Sequence, residues 1–197
     1  MLDLTRITTR DEALAMAAAG CPTEYTGIAK EVLGTDVALT PGSLLYMSMI
    51  SRVRGLHEAV VRELAEDNPH AVLPLCRAWV ELLTIINYCI KKPAYIDVLV
   101  SPLVGPRAGA RKKFGAMFHA LRDQFAGLEQ VYRQLSEYSH FGPSAVWNAH
   151  SIDDEAQRTT VWSDAPRFRD DKHFMIACAQ AEELAEATFD HSGRSAG

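Results

Sequence analysis

Apolar residues recur every three to four positions over most of the chain, the period that lines one face of an α-helix. Leu45, Met49, Val53, Leu56, Val60 and Leu64 make one such stripe, with Arg52, Arg54, Glu58 and Glu63 on other faces. The stripe predicts a long helix opened by Pro41-Gly42-Ser43 and reaching about Glu66, where Asp67-Asn68-Pro69 closes it. The next segment, about Pro69 to Lys91, is apolar on most sides through Leu73, Cys76, Trp79, Val80, Leu83, Ile86, Tyr88 and Ile90. Such a helix belongs at the centre of a bundle. Asn68 caps it, Pro69 takes its first position, Pro74 kinks or delays its start, and Pro93 stops it.

The flanking regions read as follows. Thr9 followed by Glu12 is a capping box ahead of a helix ended by Gly20-Cys21-Pro22. Thr23 to Leu33 suits a second short helix, stopped by Gly34. Ala94 to Val100 fits either one or two helical turns or a strand. A helix then runs from near Arg107 to His140, with a weak point at Gly127. Between Ala145 and Ser163, two β-branched and aromatic segments around Asp153-Asp154-Glu155 suit a small hairpin or an ordered loop. A last helix follows Asp170-Asp171 and reaches about Phe189, with residues 190–197 frayed. The reading is a mostly α fold: a single helical domain over 1–197, a bundle of about five main helices, and an N-terminal helical arm over 1–40.

Composition narrows this little. The 197 residues suit one domain with a true core. The net charge of −5 argues against a strongly basic nucleic-acid binder, though not against a local basic patch. The N-terminus is interrupted by Asp3, Arg10, Asp11 and Glu12, unlike a secretory leader. The apolar run from Trp79 to Ile90 is short for a bilayer and contains Glu81 and Asn87. Both features point to a cytoplasmic protein with no membrane partner. Cys21, Cys76, Cys89 and Cys178 form no CxxC pair; Cys76 and Cys89 read as core residues.

The chemical lead is the stretch VYRQLSEYSHFGPS, Val131 to Ser144, a helix end stopped by Gly142-Pro143. Two helical turns bring Arg133 and His140 to nearly the same azimuth, with Ser136 between them in one row and Glu137 on the next. A histidine exchanges protons near neutral pH, and an arginine grips phosphate with two parallel N–H groups. Together they suit cleavage of an RNA phosphodiester by its own 2′-hydroxyl, with His140 as acid or base. A plainer reading pairs Arg133 with Glu137 and leaves His140 as a helix cap. Arg77 and Glu81, four apart on the apolar central helix, read as a partly buried ion pair in a supporting role. Arg107, Arg111, Lys112 and Lys113 form a basic cluster at a helix start, read either as a solvated face or as an RNA-backbone contact. Glu137-Tyr138-Ser139-His140 is a lone ExxH without the second copy a di-iron bundle needs. A single-metal site through His57, His140 and His173 stays open. No P-loop, GxGxxG, GxSxG or HExxH motif occurs.

Two blocks, Arg77 to Ile90 (RAWVELLTIINYCI) and Tyr132 to Pro143 (YRQLSEYSHFGP), resemble bacterial helical proteins that carry an R-x-x-x-E helix followed by a Y-x-x-L-S-x-Y-x-H helix end. These are distantly similar to the HEPN superfamily (higher eukaryotes and prokaryotes nucleotide-binding). The resemblance implies a metal-independent RNase or RNA-binding protein without a cofactor, with Arg133 and His140 as its catalytic pair. One such row is a sparse site, so a homodimer that places two copies face to face is expected. Gln134 departs from the pattern, since active members commonly carry a small polar or histidine side chain after the arginine. A non-catalytic helical protein that binds a protein partner is the alternative, and a metal-binding bundle is a third reading.

Overall fold

The structure, a computed structural model, describes residues 7–19, 25–27, 30, 40–101, 110–124, 128–140, 142, 150–154, 159–162 and 164–193. Among them the fold is mostly helical. Helix α1 spans Arg10–Ala18, α2 Pro41–Ala65, α3 Pro69–Lys91, α4 Ile96–Leu99, α5 Phe114–Ala120, α6 Leu128–Ser139 and α7 Asp171–Gly193. A 3-10 turn, Pro93–Tyr95, joins α3 to α4, so Ala94 to Val100 is helical. Strands β1 (His150–Asp154) and β2 (Thr159–Trp162) pair antiparallel, with His150 opposite Trp162.

Local chemistry accounts for the ends of the helices. Thr9 and Glu12 make the capping box of α1, and Thr40 and Ser43 make another for α2. Asn68 accepts the Ala71 N–H at the start of α3. The end of α2 is a Schellman turn: Asp67 N–H donates to Leu64 O and Asn68 N–H to Glu63 O. This turn needs a left-handed residue, and Asp67 supplies it at φ 56°, a conformation that a short polar side chain tolerates better than most. The Asp67 carboxylate then accepts from Arg10 of α1 and from the Phe168 N–H. One strained turn thus ties α1 and the chain entering α7 to the α2–α3 corner.

Helix α3 is central, as its composition demanded. It packs against α2, α6, α7 and α5, while α1 lies on α7 and α2. Trp79, Val80, Cys76 and Cys89 are fully buried, Leu83 is buried, and Ile86 is only partly buried. The main core joins α1, α2, α3 and α7 with Leu135 of α6. A smaller cluster, Tyr88, Cys89, Tyr95, Met117 and Leu121, fills the corner of α3, the 3-10 turn and α5. By length and composition alone, the 23-residue α3 is long and apolar enough to cross a bilayer, a test that the core helix of a bundle also passes. Half of that apolar stretch is buried inside this fold.

Three expectations are corrected. Among the described residues, the helix expected from Arg107 to His140 is interrupted: α5 begins at Phe114 and ends at Ala120, and α6 begins at Leu128. Lys91 Nζ donates to Ala120 O at 2.7 Å, so the end of α3 caps the end of α5 with a cation. Leu121 turns into the smaller core cluster just past that cap. Helix α7 continues beyond Phe189 to Gly193, which leaves less tail to fray. Helix α3 starts without delay at Pro69 and runs through Pro74. Most of the Thr23–Leu33 segment, and parts of the arm over 1–40, lie outside the described residues.

Candidate functional site

Helix α6 divides cleanly. Leu135 is buried, and Val131, Tyr132 and Tyr138 pack partly buried against the core. Glu129, Gln130, Arg133, Gln134 and Glu137 are exposed, as is His140 in the turn beyond. The helix ends as a tight wrap: His140 N–H donates to Ser136 O at 3.0 Å, and Gly142 N–H donates to Glu137 O at 2.7 Å. A Cβ on Gly142 would stand 3.0 Å from Glu137 O. Glycine is therefore the residue that lets the chain close over the helix end. Arg133, Ser136, His140 and Gly142 open onto one shallow groove, with Gln130 and Gln134 beside them.

The details differ from the plain reading of the row. Arg133 pairs with Glu129, one turn earlier, and not with Glu137; Nη2 stands 2.6 Å from Glu129 Oε1. Both side chains are largely exposed, at 77% and 61%. Ser136 Oγ, placed in an open row by its spacing, is buried and has no hydrogen-bond partner. Such an atom carries an unmet polar demand.

The supporting pair is present. Arg77 Nη2 lies 3.1 Å from Glu81 Oε1, with side chains 22% and 36% exposed. Tyr132 of α6 completes it: its hydroxyl donates to Glu81 Oε1 at 2.9 Å and accepts from Arg77 Nη2 at 3.4 Å. Burial works to lower the Arg77 pKa, but Tyr132 and Glu81 outweigh it and hold it above the ordinary value. The pair thus supports α6 through Tyr132, the neighbour of Arg133. Tyr132 escaped the reading of single residues because its hydroxyl meets partners more than fifty positions away.

The members of the basic cluster that the structure describes differ in their surroundings. Arg111 is turned onto the carbonyls of Leu99, at 3.0 Å, and Ser101, at 2.8 Å. There it caps α4, with its side chain part-buried. The Lys112 N–H donates to Tyr95 Oη; Lys112 and Lys113 are exposed. Arg107 lies outside the described residues.

The three histidines of the single-metal reading do not converge. His57 is fully buried between α1, α2 and α3. Its Nδ1 meets Tyr25 Oη at 3.1 Å and its Nε2 meets Ala17 O at 2.6 Å. His173 sits at the start of α7 with Nδ1 2.7 Å from Asp170 Oδ1. Among the described residues no group of three His, Cys, Asp or Glu side chains is placed to hold a metal ion.

Two clefts flank the groove. One, of about 320 Å³, lies between α3, α6 and α7 and is lined by Leu73, Gln134, Glu137, Tyr138, Arg169 and His173. Burial opposes ionisation of Asp170, the partner of His173, but the His173 N–H and ring hold its carboxyl below the usual range. The Asp-x-x-His spacing at a helix start was the available signal for that pair. The other, of about 310 Å³, opens between α5 and α6 and is lined by Phe114, Phe118, Tyr132, His119, Arg122 and Arg133. No protein-family model, no curated protein and no solved structure matches this chain.

Proposed function

We propose that the end of α6 is the working face of a metal-independent endoribonuclease, similar to the HEPN superfamily, that acts as a homodimer. The observation that carries the reading is the shared groove: Arg133 and His140, separated by two turns, open with Ser136 onto one surface. The Arg133–Glu129 pair is exposed, and such pairs contribute ~0–1 kcal/mol, so a phosphate displaces Glu129 at little cost. Arg133 then holds the phosphate through its planar fork. His140 takes the 2′-hydroxyl proton as the 2′-oxygen bonds to the adjacent phosphorus. The P–O5′ bond breaks, leaving a 2′,3′-cyclic phosphate. The departing 5′-oxygen is protonated by the second copy's histidine, which is why two copies are needed.

The test is cleavage of a mixed-sequence RNA with EDTA present. Wild type should cleave, and His140→Ala should lose ~10²–10⁴-fold, the usual worth of positioned proton transfer. Arg133→Lys should also fail, because an ammonium cannot reproduce the fork. Both side chains are exposed, so melting should be unchanged. No cleavage above a mock preparation, or equal cleavage by His140→Ala, overturns the reading. A protein-binding role would then take its place, favoured by Leu44, Met47, Ile90 and Val100. These large apolar side chains are 40–50% exposed where the start of α2 meets the end of α3 and α4.

A further inference from the structure

We infer that the α5–α6 cleft is a stacking site for one unpaired base of single-stranded RNA, continuous with the Arg133–His140 groove. Phe114 and Phe118 lie four apart on one face of α5, and Tyr132 faces them from α6. Their ring centroids are 4.6–5.8 Å apart with interplanar tilts of 32–37°. None of the three is fully buried, and all three line a cleft of about 310 Å³. That volume lies at the small end of ligand pockets, which run from ~300 to 1,000 Å³. Gly115 also lines the cleft, and a Cβ there would meet no atom within 4 Å, so a side chain at this position has room to enter it.

The rim selects what enters. Arg122, Arg133 and His119 stand around the aromatic floor, with Glu129 as the opposing charge. An aromatic floor with cations at its edge suits a planar base attached to a phosphate, the combination that proteins use on single strands. Bases inside a duplex are already stacked on one another and offer no free face. Arg133 lines both the cleft and the groove. A base in the cleft therefore brings its own phosphate to the arginine that serves the cleavage site. Glu129 faces that phosphate with like charge and competes for Arg133.

This inference rests on the proposed RNase reading, so the test separates the two. Labelled single-stranded RNA, single-stranded DNA and duplex RNA of one sequence are titrated by fluorescence anisotropy, with cleavage followed in parallel. The variants are Gly115→Leu, Phe114→Leu, Glu129→Gln and His140→Ala, each melted as a folding control. Gly115→Leu and Phe114→Leu should weaken single-strand binding by about 5- to 150-fold, the effect of losing one stacked base. Gly115→Leu decides alone if Phe114→Leu fails to fold. Glu129→Gln should tighten binding by about three- to fivefold, as one like charge is removed near water's dielectric. His140→Ala should bind as wild type does and not cleave. Single-stranded DNA should bind and stay intact, and the duplex should bind more weakly. If folded Gly115→Leu binds and cleaves like wild type, or if duplex binds equally well, the stacking site is overturned and the cleavage reading stands. If wild type binds no RNA, both fall.

Discussion

The two sides of α3 carry similar chemistry under opposite conditions. Toward α1, α2 and α7, the polar groups are buried and answered. His57 lies between Tyr25 Oη and Ala17 O, and Trp79 Nε1 donates to Thr188 Oγ1, which donates on to Leu184 O. Toward α6, Arg77, Glu81 and Tyr132 are joined but partly exposed, and Arg77 Nε has no partner. Ser136 Oγ, on α6 itself, is the same kind of orphan. A closed network is bound to stability, because opening it leaves a buried group unsatisfied. A half-solvated network can exchange partners with water or a ligand at low cost. The inner side of α3 is therefore bound to the stability of the fold, and the proposed function draws on its α6 side.

The comparison can be broken at Trp79 first. The ring is fully buried and packs 5.0 Å from the His57 ring. Trp79→Ala should destabilise by about 3–5 kcal/mol in a denaturant titration. A shift below about 1 kcal/mol would remove the contrast between the two sides.

His57→Leu is the next largest. It removes the buried hydrogen bonds of His57 to Tyr25 Oη and Ala17 O, a cost of about 1–3 kcal/mol. The effect has a pH signature. Burial holds the His57 pKa below its ordinary value, while the Ala17 carbonyl and Glu58 partly oppose it. The unfolded chain therefore binds that proton more readily. Stability is complete above about pH 6.5 and declines as pH falls below it. The gap between wild type and His57→Leu should narrow from pH 7 to pH 5. A constant gap would show that His57 protonates as easily inside the fold as outside.

The smallest effect is expected at Tyr132→Phe, which keeps the ring and removes the hydroxyl shared by Arg77 and Glu81. Hydrogen bonds to charged groups contribute ~1.5–3 kcal/mol when buried. Solvent reaches both partners here, so about 1 kcal/mol is expected. A cost approaching that of Trp79→Ala would mean that the α6 side is as closed as the inner one.

Much of this was legible in the chain. The stripe from Met49 to Leu64 and the all-round apolar α3 required only a helical period, and the Thr9–Glu12 box only a spacing. The Arg133 partner was legible too, and the choice of Glu137 went the wrong way. Helical side chains lean toward the N-terminus, and a glutamate four residues before a cation is the favoured order. Glu129 meets both conditions. The break between α5 and α6 was legible only as a weak point at Gly127, and the early end of α5 was not, because Phe114, Met117, Phe118 and Leu121 keep helical spacing past it. The cation that caps its end, Lys91, comes from twenty-nine residues away.

By itself the sequence determined the helices, their apolar faces, the caps and the row from Arg133 to His140, because each depends on neighbours within two turns. Only the tertiary structure decided that Tyr132 closes the Arg77–Glu81 pair and that Arg111 caps α4. It alone brought Phe114, Phe118 and Tyr132 together around a cleft. Those arrangements depend on which helix packs against which, and the depth to which each is buried. Local spacing carries neither.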